Sequence, residues 1–579
     1  MNPAEELEAL TAPGGPYEMT MLDTGRGEVP VFVRAPGTLG ELYEQALSTA
    51  TFLVEDAVRL TYAQAHERAA AIARMLVDEH GIVPGDRVAI SMRNHAEWMH
   101  TFAAVTSVGA IAVAMNSLWT SEEMAFALID SEPKVLVADQ ERIERALASG
   151  ATNGTALWGV RLDPERSFPA SVRSMDDVLR HAAGTTMPAA TVGPDDPATI
   201  LYTSGSTGNP KGVLSTHRNI ISALFTWELE SKRQSLRALI AAGTGAEPAP
   251  APTPVALLAV PLFHVLGLHS VYLSSYRSQR ALVVMNKWDP VVAAELIERE
   301  RVTSFSGPPT MTGDLVRVAE TSGRDLTSLM TVGGGGAARA PEQVERINTS
   351  FRSAAPSTGW GMTETSAAGT TISGADYLDR PTSAGRALAV VSVRVVDETG
   401  SVLPSGDVGE LQVRGTVVFR EYWRRPDATA EVFTPDGWFR TGDVARIDAE
   451  GYVYIVDRIK DLIIRGGENI GCGHVEAALL THPDVLEAAV YAVPDERLGE
   501  EVGATIHALN DVDLDGLLSH VRGHLAAHEV PRHLRVSRDP LPRTGSGKMF
   551  KRQMRDEMVA FLASQNSRQS SGFIPRSSS

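Results

Sequence analysis

The sequence predicts an α/β fold with a mostly parallel sheet, followed by a smaller α+β domain. Short apolar, β-rich runs alternate with amphipathic helical patterns over most of the chain, and this alternation is typical of βαβ units. The pattern changes near Asp457, which predicts a domain boundary there. The length of 579 residues, with 43% hydrophobic and 21% charged residues, suits a globular chain with more than one core.

Individual elements follow from the periodicity of the apolar residues. Residues 87–92 (RVAISM) and 198–202 (ATILY) are predicted strands, and residues 62–79 and 291–300 are predicted helices with alanine-rich faces. Residues 234–254 end in the Pro/Ala run GTGAEPAPAPTP, which does not pack as a regular element. We expect this segment to be a mobile surface insertion.

After residue 457 the chain shows a smaller α+β pattern of roughly a hundred residues. A strand over 451–456 is followed by a basic, glycine-rich turn, a helix over 475–480 and a strand over 488–492. The tail from Ser564 is serine-rich and is expected to be disordered. The predicted division is therefore an N-terminal domain over 1–457, a C-terminal domain over 461–560 and a tail over 564–579.

Charge and cysteine content exclude several classes of protein. The 53 Lys and Arg residues stand against 71 Asp and Glu residues, a formal charge of −18, whereas a dedicated nucleic-acid binder needs a basic footprint. The single cysteine, Cys472, excludes an intramolecular disulfide framework and a cysteine zinc cluster. Neither observation excludes an anion bound at a locally positive site.

Two apolar stretches, 101–119 and 255–273, are long enough to suggest membrane spans. The second contains Pro261, His264 and His269, which disfavour a lipid-exposed helix, so both are interpreted as buried helix–strand or strand–loop–helix elements. The N-terminal residues MNPAEELEAL are acidic where a secretory signal is basic and then apolar. We expect a cytoplasmic protein.

The strongest local motif is TSGSTGNPKG, residues 203–212. Its glycines let main-chain N–H groups approach a polyanion, its hydroxyls donate hydrogen bonds, and Lys211 supplies charge. The motif is not a Walker loop, because Gly212 rather than Ser or Thr follows the lysine. An apparent strand starting at Val213 follows, which predicts a phosphate-binding turn between two strands.

Three further segments carry functional side chains. In STGWGMTET, residues 357–365, an indole beside glycines suits stacking on a base, and Thr363 with Glu364 suits a phosphate and its Mg²⁺. Asp443 in the segment 437–468 is able to accept hydrogen bonds from two ribose hydroxyls, and Arg458 to pair with the same sugar or a phosphate. PRTGSGK, residues 542–548, ends in Lys548 on a predicted flexible loop.

In this order and spacing, the four segments resemble the adenylate-forming superfamily of acyl-CoA synthetases, aryl-CoA ligases, luciferases and peptide-synthetase adenylation domains. The resemblance extends over about 62–555. It implies a large N-terminal domain of mixed sheets flanked by helices and a small mobile C-terminal domain. It also implies ATP, Mg²⁺ and coenzyme A as cosubstrates and cofactor.

The resemblance assigns a role to each matching residue. It places the β- and γ-phosphates on the loop, adenine on Trp360, the α-phosphate at Thr363, Mg²⁺ at Glu364 with Thr207, and ribose at Asp443 and Arg458. Lys548 reaches between the acid and the α-phosphate, and the hinge falls at Lys460. The implied nucleotide-binding residues are Thr203, Ser204, Gly205, Ser206, Thr207, Gly208, Lys211, Gly335, Trp360, Gly361, Asp443 and Arg458.

For the acid, the resemblance points to a pocket formed by His264, Gly333, Gly334, Gly361 and Met362. Acetate-specific relatives carry a bulky aromatic where this chain has Gly361, and the tetraglycine run 333–336 is expected to leave volume unfilled. Amino-acid-activating relatives place Asp after Phe, where this chain has His264. A medium- or long-chain fatty acid, an aryl acid and a bulky alicyclic acid stay open.

The acceptor side of the resemblance comprises Gly466, Gly467 and Glu468 near the coenzyme A channel. The following GCGH, residues 471–474, departs from the relatives and either retunes thiol delivery or is neutral. The predicted activity is an ATP-dependent acyl-CoA ligase. The alternatives are an acyl-AMP former that serves a carrier protein or partner enzyme, and a non-catalytic nucleotide sensor; a homodimer is a further possible assembly.

Overall fold

The structure is a computed structural model of the 579-residue chain. It describes residues 3–203, 210–242, 252–336, 339–351, 353–459, 461–466, 468–508, 510–543 and 549–570. Within these ranges the α-helices are α1 Pro3–Thr11, α2 Leu39–Gln45, α3 Tyr62–Arg74, α4 Ala96–Ser107, α5 Ser121–Ser131, α6 Gln140–Ser149, α7 Asp176–Arg180, α8 His217–Ala242, α9 Ser274–Ser278, α10 Pro290–Glu300, α11 Pro309–Ser322, α12 Pro341–Ser350, α13 Gly374–Asp379, α14 Pro426–Val432, α15 Cys472–Leu480, α16 Leu514–Arg522 and α17 Lys551–Ser570. Met75–Glu79 and Leu266–Leu273 are π-helical, and Thr363–Thr365 is a 3₁₀ turn.

The same ranges contain the strands β1 Met19–Asp23, β2 Glu28–Phe32, β3 Thr51–Glu55, β4 Val58–Thr61, β5 Arg87–Ser91, β6 Ile111–Ala114, β7 Val135–Asp139, β8 Ala156–Val160, β9 Val172–Ser174, β10 Pro197–Thr203, β11 Lys211–Thr216, β12 Val255–Leu258, β13 Ala281–Val284, β14 Ser304–Ser306, β15 Thr331–Gly333, β16 Ala355–Thr358, β17 Thr370–Ser373, β18 Gly385–Ala387, β19 Val391–Val396, β20 Val408–Gly415, β21 Glu421–Tyr422, β22 Phe439–Ile447, β23 Tyr452–Arg458, β24 Leu462–Arg465, β25 Glu468–Gly471, β26 Glu487–Asp495, β27 Gly499–His507 and β28 His533–Ser537. The predicted strands and helices named above are confirmed in place, with ends shifted by a few residues.

Two large mixed sheets form the N-terminal part of the fold. The first has the order β21-β11-β10-β6-β5-β7-β8-β9, and the second β19-β20-β22-β23-β18-β17-β16-β15-β14-β12-β13-β3-β4. The predicted α/β fold of mixed sheets flanked by helices is therefore confirmed. The buried strands β5, β6 and β7 read as continuous apolar runs because helices cover both faces of a parallel sheet.

The second sheet changes direction at one seam. From β3 to β16 its neighbouring strands are parallel, whereas from β16 to β19 each pair is antiparallel. Ligand sites of α/β proteins lie beyond the carboxyl ends of parallel strands. The residues after β14, β15 and β16 therefore meet at one edge of the sheet, beside the antiparallel half.

The helix over residues 62–79 shows why the sequence folds as predicted locally. Thr61 caps α3 by accepting from the Gln64 main-chain N–H, and the Gln64 side chain accepts in return from the Thr61 N–H. The last predicted turn is π-helical, over Met75–Glu79. The apolar face buries Ala69, Ile72 and Leu76 in the main core of the chain, which anchors the helix.

The two apolar stretches are elements of the core, as expected. Residues 101–119 contain the end of α4 and the strand β6, and 255–273 contain β12, a loop and the π-helical segment. Trp98 and Phe102 stack inside α4's buried face with ring centroids 5.4 Å apart. None of the helices in the described residues is long and apolar enough to cross a membrane.

The C-terminal part has a sheet of its own. It is a five-stranded sheet with the order β25-β24-β27-β26, and β28 pairs with β27 in parallel. Helices α15 and α16 cover its apolar cluster, which includes Ile463, Val475, Val502 and Leu517. This small α+β unit matches the predicted fold class, while the exact division of the chain stays a prediction.

Two expectations about irregular segments were wrong in part. Residues 234–242 continue helix α8 to Ala242 instead of forming a loop, because this stretch, which precedes the Pro/Ala run, is free of proline. The tail is helical up to Ser570 in α17 rather than disordered from Ser564, since residues 551–570 contain neither glycine nor proline. Residues 243–251 and 571–579 lie outside the described residues.

Candidate active site

The glycine-rich motif joins two antiparallel strands, as the sequence predicts. Thr203 ends β10, Lys211 begins β11, and the two residues are directly paired across the ladder. The Thr203 hydroxyl donates to the Lys211 carbonyl over 3.4 Å. Residues 204–209, which include the predicted ligands Ser204, Gly205, Ser206, Thr207 and Gly208, lie outside the described residues.

Lys211 is connected to Glu364 through a tyrosine. The Lys211 ammonium lies 4.9 Å from the centre of the Tyr422 ring, a cation–π distance. The Tyr422 hydroxyl donates to Oε1 of Glu364 over 2.9 Å. Burial, and then the Glu364 carboxylate, raise the pKa of Tyr422, so the phenol keeps the proton that it donates. The structure thus brings together the lysine predicted for the phosphates and the carboxylate predicted for Mg²⁺.

Glu364 sits on a tight turn that follows the seam of the second sheet. Thr363–Thr365 form the 3₁₀ turn, and Ser366 and Ala367 then adopt left-handed conformations with φ of 52° and 66°. The Glu364 carbonyl accepts from the Phe419 N–H over 2.8 Å. Non-glycine residues in this region store strain that the surroundings must hold. The turn therefore depends on contacts from other elements.

One of these contacts comes from the π-helical segment. Burial lowers the pKa of His269 to about 4, so the ring is neutral, and its Nδ1 donates to the Ser366 carbonyl over 3.2 Å. The Ser366 hydroxyl donates to the Val417 carbonyl over 3.1 Å. His269 and Val417 thereby hold the strained residue that follows Glu364 and Thr365.

Trp360, Asp443 and Arg458 meet in a second cluster, as the resemblance implies. The Trp360 Nε1–H donates to Oδ2 of Asp443 over 2.7 Å, and Arg458 Nε lies 3.2 Å from Oδ1 of the same carboxylate. Asp443 and Arg458 are paired residues of β22 and β23. Asp443 is buried, whereas about half of the Arg458 side chain is exposed.

The glycines around Trp360 leave room for its ring and main chain. A Cβ at Gly369 would overlap the indole, and one at Gly359 would lie 2.5 Å from the Thr370 carbonyl oxygen. Trp360 follows the carboxyl end of β16, beside the segment after β15. The segment 259–265 after β12 carries Phe263 and His264, whose rings are 4.5 Å apart. These are the edge positions where ligands of parallel sheets bind.

The tetraglycine run does not leave an empty volume, which corrects the first pocket argument. A Cβ at Gly333 would overlap Ser357, and one at Gly334, where φ is 142°, would overlap the Gly307 main chain. At Gly335 it would lie 3.0 Å from the Gly359 carbonyl. At Gly336 no atom of the described residues lies within 4 Å of such a Cβ. These glycines bring the segments after β14, β15 and β16 into contact.

Gly361 requires the same correction. A Cβ there would overlap the carbonyl oxygen of Ala367, on the strained turn after Glu364. A small residue is required by the neighbouring main chain, so Gly361 says nothing about the length of the acid. The next residue, Met362, packs against the buried cluster of Val213, Phe419, Tyr422 and Phe439.

The predicted coenzyme A channel residues are only partly described. Gly466 has φ of 60° and donates its N–H to the Leu498 carbonyl, while Glu468 is exposed at the start of β25. The departure at 471–474 leads into a helix: Cys472 opens α15 and is buried, and the Gly473 N–H donates to Asp457 over 3.1 Å. Burial raises the pKa of the Cys472 thiol.

Besides the loop residues 204–208, three predicted residues lie outside the described residues: Lys460, Gly467 and Lys548. Their roles stay predictions. The structure also adds residues that the sequence did not reveal, above all Tyr422 and His269. Tyr422 is within the unremarkable segment REYW, and only the pairing of β21 with β11 places it beside Lys211.

The site has the donor set for a magnesium ion and phosphates. The buried Glu364 carboxylate is a hard oxygen ligand, and Lys211 supplies a positive charge next to the same tyrosine. In the described part of the chain, no group of three or more His, Cys, Asp or Glu side chains is placed to hold a metal ion. A Mg²⁺ ion bound by one carboxylate together with phosphate oxygens and water fits this arrangement.

Comparison with protein families gives two matches along the chain. Residues 43–423 match the family described as AMP-binding enzyme, and residues 474–548 match the AMP-binding enzyme C-terminal domain. A feruloyl-CoA synthase of Amycolatopsis sp is 35% identical, with 87% of this chain and 95% of the relative covered. A long-chain-fatty-acid–CoA ligase of Mycobacterium tuberculosis is 33% identical, with 87% and 94% covered.

Solved structures agree with these matches. A Mycobacterium tuberculosis fatty acyl CoA synthetase has a TM-score of 0.66 and 30% identity, covering 90% of this chain and 99% of its own. The o-succinylbenzoate coenzyme A synthetase of Bacillus subtilis, in complex with ATP and magnesium ion, has a TM-score of 0.75 and 27% identity over the same shares of the two chains.

Proposed function

The chain belongs to the AMP-binding enzyme family and is an AMP-forming acid–thiol ligase, and from this premise we propose that its acid is larger than acetate. The enzyme uses ATP to activate a carboxylic acid as an acyl-adenylate and then transfers the acyl group to coenzyme A. ATP, Mg²⁺ and coenzyme A are its cosubstrates and cofactor. The proposal concerns the residues that perform these steps and the class of acid.

The main support for the proposed site is the presence of two clusters of interacting side chains, one around Tyr422 and one around Asp443. We assign Trp360 to the adenine, Asp443 and Arg458 to the ribose, and Thr203 and Lys211 to the β- and γ-phosphates. The 2.7 Å hydrogen bond from Trp360 to Asp443 supports assigning neighbouring groups of one nucleotide, the base and the sugar, to these two residues. The contacts of Tyr422 with Lys211 and Glu364 support assigning the phosphates and Mg²⁺ to the same region.

The chain's own residues lower the barrier by positioning and charge. A carboxylate that attacks the α-phosphate is repelled by its charge, so fixed cations and N–H groups that neutralise this charge accelerate the step. Bound Mg²⁺ neutralises phosphate charge, and Glu364 is the residue that would hold it. We assign Lys548 to the space between the acid and the α-phosphate, where a second cation is needed only near the transition state.

The class of acid is supported by the relatives and by one residue of the chain. The relatives are named for ferulate, for long-chain fatty acids and, at 31% identity, for a methyl-dioxo-octahydroindenyl propanoate, all acids with a large apolar part. His264 follows Phe263 where amino-acid-activating enzymes place an aspartate. We infer an aryl, alicyclic or medium- to long-chain acid.

A panel of acids tests this proposal. Purified protein, MgATP and each acid are assayed for pyrophosphate release, and coenzyme A is then added to measure thioester formation. We expect release with cinnamate-type, alicyclic or C8–C16 acids and little with acetate or glycine. Release without thioester formation would favour a carrier protein as acceptor, and release only with acetate would refute the size class.

The role of Lys548 is tested by separating the two half-reactions. Lys548→Ala is expected to abolish adenylate formation and to leave thioester formation from supplied acyl-AMP largely intact, because the rotated small domain carries the lysine away. Equal loss in both halves would contradict the proposed hinge at Lys460. The division into 1–457 and 461–560, a homodimer, a carrier protein and a cytoplasmic location stay predictions of the sequence.

A further inference from the structure

The N-terminal hairpin of strands β1 and β2 has an arginine, Arg26, at its tip, and this arginine contacts the segment around residues 419–420. The turn between the strands is Thr24-Gly25-Arg26-Gly27, in which Gly25 and Gly27 have φ of 75° and 102°. The Gly25 N–H donates to the Asp23 carboxylate, and the Thr24 N–H donates to the Gly27 carbonyl. The turn projects Arg26 away from its own strands. The hairpin precedes residue 43, where the family match begins.

Arg26 binds the main chain just before β21. Its Nη2 donates to the Arg420 carbonyl over 2.6 Å and its Nη1 to the Phe419 carbonyl over 3.3 Å. The guanidinium also lies 3.7 Å from the centre of the Phe433 ring. The planar fork of arginine suits two acceptors and an aromatic face at once, which lysine does not match. Burial lowers the pKa of Arg26.

The segment that Arg26 holds also supports the catalytic turn. The Phe419 N–H donates to the Glu364 carbonyl over 2.8 Å, so the two peptide groups of Phe419 contact Arg26 on one side and Glu364 on the other. Two residues after Arg420, the Tyr422 hydroxyl donates to the Glu364 carboxylate. Phe419 is fully buried, which gives this link little freedom to move.

A second approach of the hairpin tip is independent of the arginine side chain. The Arg26 carbonyl occupies the place where a Cβ at Gly437 would lie, and Gly437 has φ of 83°. Gly437 belongs to the turn that leads into β22, the strand of Asp443. The tip therefore touches the connections to both clusters of the site.

We propose that Arg26 is a positioning residue: by holding the segment that contains Phe419 and Tyr422, it keeps the Glu364 and Tyr422 side chains in the positions needed to bind MgATP. The inference rests on the proposed function of these two residues. Without the guanidinium, the Phe419 and Arg420 carbonyls lose their donor, and the Glu364 turn loses one of the contacts that hold it. Binding of MgATP then suffers more than binding of the acid.

The test compares Arg26→Met, Arg26→Lys and Arg34→Met in the full-length enzyme. Arg34 is the matched control, because it lies next to the same hairpin, is half-exposed, and has Glu18 at 3.7 Å as its ion-pair partner among the described residues. For Arg26→Met we expect the KM for MgATP and the Mg²⁺ concentration at half-maximal rate to rise roughly five- to tenfold, with the KM for the acid unchanged. For Arg26→Lys both values should lie between those of the wild type and Arg26→Met, and for Arg34→Met they should equal the wild-type values.

A purely structural role predicts a different result. It would lower the Tm and the active fraction while leaving both KM values and the Mg²⁺ dependence as in the wild type, and this outcome overturns the proposal. If Arg26→Met does not fold, unchanged KM values for MgATP in Arg26→Lys overturn it equally. A wild-type enzyme without acid-dependent pyrophosphate release would refute the proposed function instead, before any variant is measured.

Discussion

On what we propose to be the nucleotide side of the site, polar side chains from several strands are joined by hydrogen bonds and ion contacts, whereas on the proposed acyl side glycines bring main chains together. The nucleotide side comprises Lys211, Tyr422 and Glu364 in one cluster and Trp360, Asp443 and Arg458 in the other. The acyl side includes Gly333, Gly334 and Gly361, each facing a neighbouring main chain or side chain.

Residue type therefore indicates function more directly for polar side chains than for glycines. A buried carboxylate or indole N–H needs a hydrogen-bond partner, so the residue type already indicates which kind of interaction it makes. A glycine is compatible with an open pocket, a special φ or a close approach, and only its neighbours distinguish these.

Removal of the Glu364 charge is expected to have the largest effect. Glu364→Gln keeps an acceptor for the Tyr422 hydroxyl but lacks the carboxylate that would hold Mg²⁺, so kcat/KM for MgATP should fall about 100-fold or more. Tyr422→Phe, the matched variant, removes the hydrogen bond and keeps the ring beside Lys211, with roughly tenfold loss expected. Wild-type rates in Glu364→Gln would exclude the assignment.

On the acyl side, Gly361→Ala should damage the enzyme without selecting acids by size. Its methyl overlaps the Ala367 main chain, so we expect the free energy of unfolding to drop by about 1–3 kcal/mol and the rates with short and long acids to fall together. Gly193→Ala is the control, since its Cβ would be 3.6 Å from the nearest atom, in Asp196. Loss with long acids alone would restore the pocket-volume interpretation of Gly361.

Trp360→Phe tests the link between the adenine and ribose groups. An aromatic ring is retained for the proposed stacking on adenine, and the Nε1–H that donates to Asp443 is lost, so the KM for ATP should rise roughly fivefold and the KM for the acid should stay constant. Trp158→Phe removes a comparable bond, to His80, far along the first sheet. It should lower the Tm without changing the KM for ATP; equal effects of both variants on that KM would contradict the assignment.

The smallest effect on activity is expected at the strained turn, where the variant changes the acid stability instead. Because burial lowers the pKa of His269 from 6.5 to about 4, the unfolded chain binds more protons between these values, and stability falls as the pH drops from about 6.5 to 4. His269→Asn offers Ser366 an amide donor that does not titrate. Urea titrations at pH 7 and 5 should show a smaller loss in this variant, by on the order of 1–3 kcal/mol.

His181→Asn is the control for this titration, because His181 is exposed on the surface near α7. Its loss of stability between the two pH values should equal that of the wild type. If His269→Asn also matched the wild type, another group would control the acid sensitivity.

Much of the fold was predictable because its signals are local. The strands 87–92 and 198–202 and the helix from Tyr62 appear where apolar periodicity and a capping box place them. Errors arose where a local signal was judged by composition alone. Residues 234–242 are helical although a proline-rich run follows them, and residues 564–570 are helical although they belong to the serine-rich tail.

The sequence was sufficient to identify the residue types of the proposed nucleotide side, Lys211, Glu364, Trp360, Asp443 and Arg458, since anion, metal and base binding require particular groups and the order of these residues along the chain matches the family. The residues that complete them and the role of the glycines followed only from the three-dimensional arrangement. Tyr422 joins Lys211 to Glu364 because β21 pairs with β11, and Arg26 reaches Phe419 from 393 positions away. Such contacts depend on strand order and packing between distant segments, which no local pattern in the sequence encodes.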